Sequence, residues 1–171
     1  DAALTSDAAT IRSADKVILP GVGAAGPGMA RLRELGLVEV LRGLTQPVLG
    51  VCLGMQLLCA HSEEGDTACL GVIPAPVRRF VEAPGLRVPH MGWNALSIRR
   101  KHPLLAGLDD GEQAYFVHSY AVPTGDWTLA DSDYGEAFSA VIARDNFHGM
   151  QFHPERSAAV GARLLQNFLD L

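Results

Sequence analysis

Gly50-Val51-Cys52-Leu53-Gly54 constrains this chain more than any other stretch, because it must join two elements through very little backbone. Val48 to Cys52 is short and wholly apolar, as expected of a parallel strand buried on both faces. Gly54 to Glu63 reads as a helix, with Met55, Leu57, Leu58 and Cys59 supplying its apolar surface. A strand that runs into a helix through a glycine-flanked cysteine needs a sharp, strained turn, and the glycines let neighbouring backbone close in. The spacing matches the glycine-x-nucleophile-x-glycine elbow, with cysteine in the nucleophile position. The helix start then lies beside the sulfur, where its partial positive charge and free N–H groups are expected to lower the thiol pKa. A buried core cysteine is the competing reading of the same residues.

The elements around this turn predict an α/β domain. Asp15 to Pro20 reads as a strand entering the glycine-rich turn Gly21-Val22-Gly23-Ala24-Ala25-Gly26, with Pro27 near the start of the next helix. Met29, Leu32, Leu37, Val40, Leu41 and Leu44 keep helical spacing across a break at Gly36. Beyond the Cys52 helix, short strands are expected at Val77 to Val81, Arg87 to Val88 and Ala95 to Arg99, with turns at Pro84-Gly85 and Gly92. Gln113 to Val122 and Trp127 to Ala130 follow as strands. Phe138 to Ala143 and Phe147 to Phe152 then flank a hairpin turn at Arg144-Asp145-Asn146. Ser157 is placed to cap a last helix with Val160, Leu164, Leu165, Phe168 and Leu169 on one face. Strand and helix alternate first and strands dominate later, which predicts a mostly parallel sheet with an antiparallel extension.

Composition removes several classes of function. A net charge of −5, with no basic run longer than Arg99-Arg100-Lys101, disfavours nucleic-acid binding. No apolar run approaches the ~20 residues of a membrane helix. The 3 cysteines form neither a paired framework nor a C-x-x-C motif, which favours a reducing, cytoplasmic setting. The 6 histidines show no H-E-x-x-H and no zinc-finger spacing, so neither a metal nor any other cofactor is expected.

A cysteine nucleophile needs a base and a group to orient it. His153-Pro154-Glu155 offers both just past the Phe147 to Phe152 strand: on an extended chain, residues two apart point the same way, so Glu155 can steer the His153 imidazole. Alone, such a tripeptide is more often an exposed turn. An oxyanion hole completes the set, with one donor at the Leu53 N–H and a second at Gly21-Val22. The latter loop also reads as a plain turn. No Gly-Lys-Ser/Thr follows it, which excludes a P-loop. Its G-x-G-x-x-G spacing fails as a dinucleotide site, because Pro27 comes at once and no acidic residue stands about 20 positions on.

With these parts assembled, the chain resembles the class I, or triad, glutamine amidotransferases, whose fold is flavodoxin-like. The carriers are Gly50-Val51-Cys52-Leu53-Gly54-Met55-Gln56 and Gln151-Phe152-His153-Pro154-Glu155. Within that family it is most similar to the glutaminase subunits of imidazole glycerol phosphate synthase, through Leu19-Pro20-Gly21-Val22-Gly23, Val88-Pro89-His90-Met91-Gly92-Trp93-Asn94 and Tyr115-Phe116-Val117-His118-Ser119-Tyr120. The resemblance implies that Cys52 attacks the side-chain amide of glutamine, that His153 moves the protons and that Glu155 orients His153. It also implies substrate contacts at Gly23, Gln56, Glu64, Ser119 and Tyr120. The ammonia would pass to a (β/α)₈-barrel cyclase subunit, which makes imidazole glycerol phosphate and aminoimidazole carboxamide ribotide. His90, Met91, Trp93, Asn94 and Tyr115 would face that subunit, although for Trp93 ordinary core packing is an even alternative.

Two other functions fit the same motifs: a stand-alone cysteine hydrolase of γ-glutamyl compounds, and a catalytically silent binding subunit. The glycine-flanked peptide at Gly21-Val22 can reorient at little steric cost, so weak activity is expected without the partner. Cys59 and Cys69 are expected in the core, and His118 as a hydrogen-bonded strand residue. Members of the family also carry a βα unit of about 30 residues ahead of the Pro20-Gly21 strand. The expectation is therefore one domain over residues 1–171 that is incomplete at its N-terminus.

Overall fold

The computed structural model describes residues 2–171. In chain order the first half holds α1 (Ala8–Ser13), β1 (Val17–Leu19), α2 (Ala25–Glu34), α3 (Val38–Arg42), β2 (Val48–Val51) and α4 (Leu53–Leu58). Next come β3 (His61–Ser62), β4 (Thr67–Ala68), β5 (Pro76–Arg79), β6 (His90–Ala95) and β7 (Ser97–Ile98). The chain continues through β8 (Gln113–His118), β9 (Tyr120–Ala121), β10 (Thr128–Asp133), β11 (Ala137–Arg144), β12 (Phe147–Met150) and α5 (Ala158–Asp170).

The main sheet has the order β1-β2-β12-β11-β10-β7. β2 lies parallel between β1 and β12, in register through Gly50 opposite both Leu19 and Gly149. The remaining pairs of that sheet are antiparallel, so it is a mixed sheet whose antiparallel part is the larger. Strand alternation sends Val48 into one core with α2, α3 and α4, and Leu49 into a second core with Phe116, Phe138 and Phe168. Both residues are fully buried, and so an apolar run without alternation was the right signal for β2. The arrangement aims three chain segments at one edge of the sheet. The C-terminal ends of β1, β2 and β12 deliver Pro20-Gly21, Cys52 and Gln151-Phe152-His153, and clefts at such strand ends are where open α/β sheets bind ligands.

Several local expectations need correction. The helix after Cys52 stops at Leu58, because Cys59 turns extended and the chain enters β3 and β4. Arg87 to Val88 is not a strand; Pro89, which has no N–H for a ladder, follows at once. Gly92 is no turn but the middle of β6, with φ +134, and β6 pairs with β8 from His90↔His118 to Ala95↔Gln113. The strand expected at Ala95 to Arg99 therefore divides, β6 ending at Ala95 and β7 starting at Ser97. Ser157 does stand at the start of α5, yet its hydroxyl makes no capping bond. It donates to the His153 carbonyl at 2.6 Å and accepts the Tyr115 N–H at 2.9 Å, tying the His153 turn to β8.

Candidate active site

Cys52 sits on the elbow between β2 and α4 with φ 52 and ψ −111, a region that a side chain occupies only at a cost of about 1–3 kcal/mol. Close packing holds it there. The Cys52 N–H donates to the Met150 carbonyl at 2.8 Å, and its own carbonyl accepts the Gln56 N–H at 3.3 Å. A Cβ on Gly50 would lie 2.6 Å from Gly54 O and Met55 N, and one on Gly54 would overlap the Leu19 carbonyl. Both glycines are therefore required by backbone contact. Cys52 is only 9% exposed, and burial pushes the thiol above its ordinary pKa. The Leu53 N–H and the Gln151 amide oppose that shift, while Glu155 adds to it. The expectation of a lowered thiol pKa is thus corrected: α4 is a single short helix, and loss of water outweighs its terminus. Cys59 and Cys69 are buried, as expected.

His153 follows β12, with its N–H on the Tyr115 carbonyl at 3.0 Å. Its Nδ1 stands 3.0 Å from Glu155 Oε1. That pairing matches the sequence reading, but the conformation behind it differs. Pro154–Arg156 is a turn of 3-10 helix with Pro154 at its first position, where a missing N–H costs nothing. With Nδ1–H donated to the carboxylate, Nε2 is the atom left for chemistry. Cys52, His153 and Glu155 line one cavity of about 380 Å³.

Val22, Gly23, Leu53, Gln56, Glu64 and Tyr120 line the same cavity, joined by Val117, His118 and Arg156, which sequence reasoning did not place there. Gly21 packs behind the wall, where a Cβ would come within 3.0 Å of Gly54 N and Leu53 Cβ. Ser119 is not part of the lining, and its carbonyl takes the Phe80 N–H at 3.0 Å. Glu64 accepts the Ala25 N–H at 2.8 Å, so its carboxylate anchors α2 as well as lining the cavity. The Gln56 NH₂ group is engaged inside the protein, donating at 2.9 Å to both the Tyr120 carbonyl and Gln151 Oε1. The residue that touches the sulfur is Gln151, with Nε2 3.8 Å from Cys52 Sγ. Strand alternation could have found it, since it precedes His153 by two positions.

The residues expected to face a partner divide by strand face. Met91 and Trp93 are 62% and 53% exposed, and the Trp93 ring packs edge-on to Tyr115 at 5.8 Å. Arg156 covers Tyr115, its guanidinium carbon 4.0 Å from the ring centre. His90 points the other way, buried and stacked on Tyr134 at 4.1 Å, so it is a core residue. Asn94 shares that inward face and donates to the Asp133 carbonyl at 2.7 Å.

Comparison with known proteins places the chain in a family. The glutamine amidotransferase class-I family profile matches residues 3–171. The chain is 56% identical over 171 residues to the imidazole glycerol phosphate synthase subunit HisH of Xanthomonas euvesicatoria, covering 100% of this chain and 86% of that protein. It is 52% identical over 185 residues to the protein of the same name from Shewanella oneidensis, covering 98% and 84% respectively. Among solved structures, a putative GMP synthase protein from Thermoplasma acidophilum superposes with TM-score 0.73 at 19% identity, over 96% of this chain and 75% of that one. A further glutamine amidotransferase structure gives TM-score 0.72 at 20% identity, over 97% of this chain and 83% of the other. At such identities the structural likeness speaks for the fold.

Proposed function

The chain belongs to the class-I glutamine amidotransferases, and we propose that it is the glutaminase subunit of an imidazole glycerol phosphate synthase, with Cys52, His153 and Glu155 as its catalytic triad. The observation that carries the reading is the convergence in one cavity of a cysteine on a positive-φ elbow and a histidine already paired to a carboxylate.

Cys52 gives its proton to His153 Nε2 as Sγ attacks the amide carbon of glutamine. The Leu53 N–H, with that of Val22, receives the developing oxyanion. The C–N bond then breaks, and His153 returns the proton to the departing nitrogen as ammonia. Water, deprotonated by His153, hydrolyses the γ-glutamyl thioester, which releases glutamate and restores the thiol. Because burial raises the thiol pKa, the proton must be removed as the bond forms, which is why Glu155 and its hold on Nδ1 matter. Ammonia goes to a (β/α)₈-barrel cyclase subunit docked on the face formed by exposed Met91 and Trp93 and half-buried Tyr115, for histidine biosynthesis in the cytoplasm. Among the described residues no helix is long and apolar enough to cross a membrane.

The test is glutamate release, measured with the cyclase and its nucleotide ligand present. Cys52→Ser is expected to lose at least about a thousandfold in turnover. Equal, slow release by the wild type and Cys52→Ser would overturn the assignment.

A further inference from the structure

Gln151 is fully buried, and its side chain lies between two other buried polar groups. Nε2 is 3.8 Å from Cys52 Sγ, and Oε1 accepts from Gln56 Nε2 at 2.9 Å. Gln56 Nε2 also donates to the Tyr120 carbonyl at 2.9 Å. From the other side, His118 Nδ1 stands 2.8 Å from that same carbonyl. His90 Nδ1 is 2.9 Å from His118 Nε2, and Asn94 Nδ2 is 3.4 Å from His90 Nε2.

We propose that Gln151 is a positioning residue for the Cys52 sulfur, and that a buried line of hydrogen bonds running back to the His90–His118 pair fixes its amide in the donating orientation. The Tyr120 carbonyl determines every direction in the line, because it can only accept. His118 must therefore carry its proton on Nδ1, which leaves Nε2 to accept from His90 Nδ1–H. His90 Nε2 is then the acceptor that faces the Asn94 amide. On the other arm Gln56 must turn its NH₂ group toward Tyr120. That same group meets Gln151 Oε1, and the Gln151 NH₂ is left facing sulfur. Turning over either amide would set like groups face to face, at the cost of a buried unpaired donor or acceptor.

Two further observations hold the line in place. The histidine rings are caged: His90 stacks on Tyr134 at 4.1 Å and Phe116 at 5.1 Å, and His118 lies 5.0 Å from Phe138 and 5.1 Å from Phe80. Burial also keeps both neutral, pushing His90 down to about 4 and His118 down to about 3, so neither acquires a second N–H near neutrality. The consequence falls on sulfur. An N–H pointed at Sγ favours the thiolate and fixes which way the sulfur faces. Asn94 and His90 stand on the same strand as the exposed Met91 and Trp93, so the line ties the nucleophile to the strand on which the glutaminase reading places the partner.

The test reads Cys52 directly and needs no glutamine, so it stands apart from the glutaminase assignment. The intact chain is alkylated with iodoacetamide across a pH series, and modification is quantified on the Cys52 peptide. Glu64, His118, His153, Glu155 and Arg156 share the cavity with the sulfur and are kept, except where varied. Gln151→Met is expected to raise the midpoint of alkylation by about half to one pH unit. Gln151→Glu keeps the acceptor for Gln56 but sets a carboxylate beside sulfur, and should raise the midpoint further. His118→Phe should move it the same way by less, with the high-pH alkylation rate near that of wild type. A wild-type midpoint in Gln151→Met or Gln151→Glu overturns the proposal. A shift in those variants with none in a folded His118→Phe overturns the part played by the histidine pair.

Discussion

Two backbone segments border the cavity that holds Cys52, and they are built in opposite ways. At the elbow every atom is confined: Gly50 and Gly54 have no room for a Cβ, and Cys52 is strained and bonded on both its N–H and its carbonyl. At the Gly21-Val22-Gly23 loop only Gly21 is pressed, against Leu53 and Gly54. Val22 is 82% exposed, and nothing lies within 4 Å of where a Gly23 Cβ would be, although Gly23 has φ +99. Sparse packing is what permits local rearrangement at low cost. Under the proposed mechanism, the contrast makes Leu53 a fixed oxyanion donor and Val22 an adjustable one. That is the physical basis for expecting a partner to act through the loop and not through the nucleophile.

The largest effect expected from this contrast is at Gly54. Gly54→Ala forces a methyl group into the Leu19 carbonyl and should destabilise the fold by about 3 kcal/mol or more, read as a drop in the urea midpoint. Val22→Pro comes next. Among the described residues no backbone carbonyl takes the Val22 N–H, so proline removes a donor that the fold does not use. Glutamate release in the complex should fall by about a hundredfold with the urea midpoint little changed. A variant with full turnover would move the second oxyanion donor elsewhere. Gly23→Ala is smaller still: the space is open, and only the positive φ resists, at about 1–2 kcal/mol. If Gly23→Ala and Gly54→Ala cost the same, the contrast between rigid and open segments fails.

The parallel strands, the elbow and the histidine–carboxylate pair were legible because each is local: an apolar run, a glycine spacing, a tripeptide. What escaped depends on pairing between distant residues. Gly92 looked like a turn, since nothing in the sequence says that β8 would hold His90 to Ala95 extended. That misreading carried a second one, because a strand counted from His90 alternates faces. His90 and Asn94 then turn inward, away from Met91 and Trp93. The thiol shift was missed for a related reason: helix-terminus electrostatics can be read from order along the chain, whereas burial of Cys52 depends on the whole fold around it. Ser157 likewise found two partners, Tyr115 and His153, that outcompeted the capping role suggested by its position.

The mildest prediction separates the two segments by acid. His118 lies in the cavity wall and is paired to His90, and both are held below their unfolded pKa near 6.5, to about 3 and about 4. Between pH 6.5 and about 4 the unfolded chain binds protons at these positions and the folded chain does not. Stability is therefore fully present above 6.5 and is lost as the pH falls through that window. His148 and His102 are lowered too and contribute in the same direction, so the melting temperature of the wild type alone does not isolate the pair. His118→Phe does. Its melting temperature should fall less between pH 7 and pH 5 than that of the wild type, by roughly 2–4 °C. Val22→Ala, which changes no ionisable group, should follow the wild-type curve throughout. Parallel curves for all three proteins would mean that the pair is already open to water, and the wall behind the elbow would then be no more confined than the loop across from it.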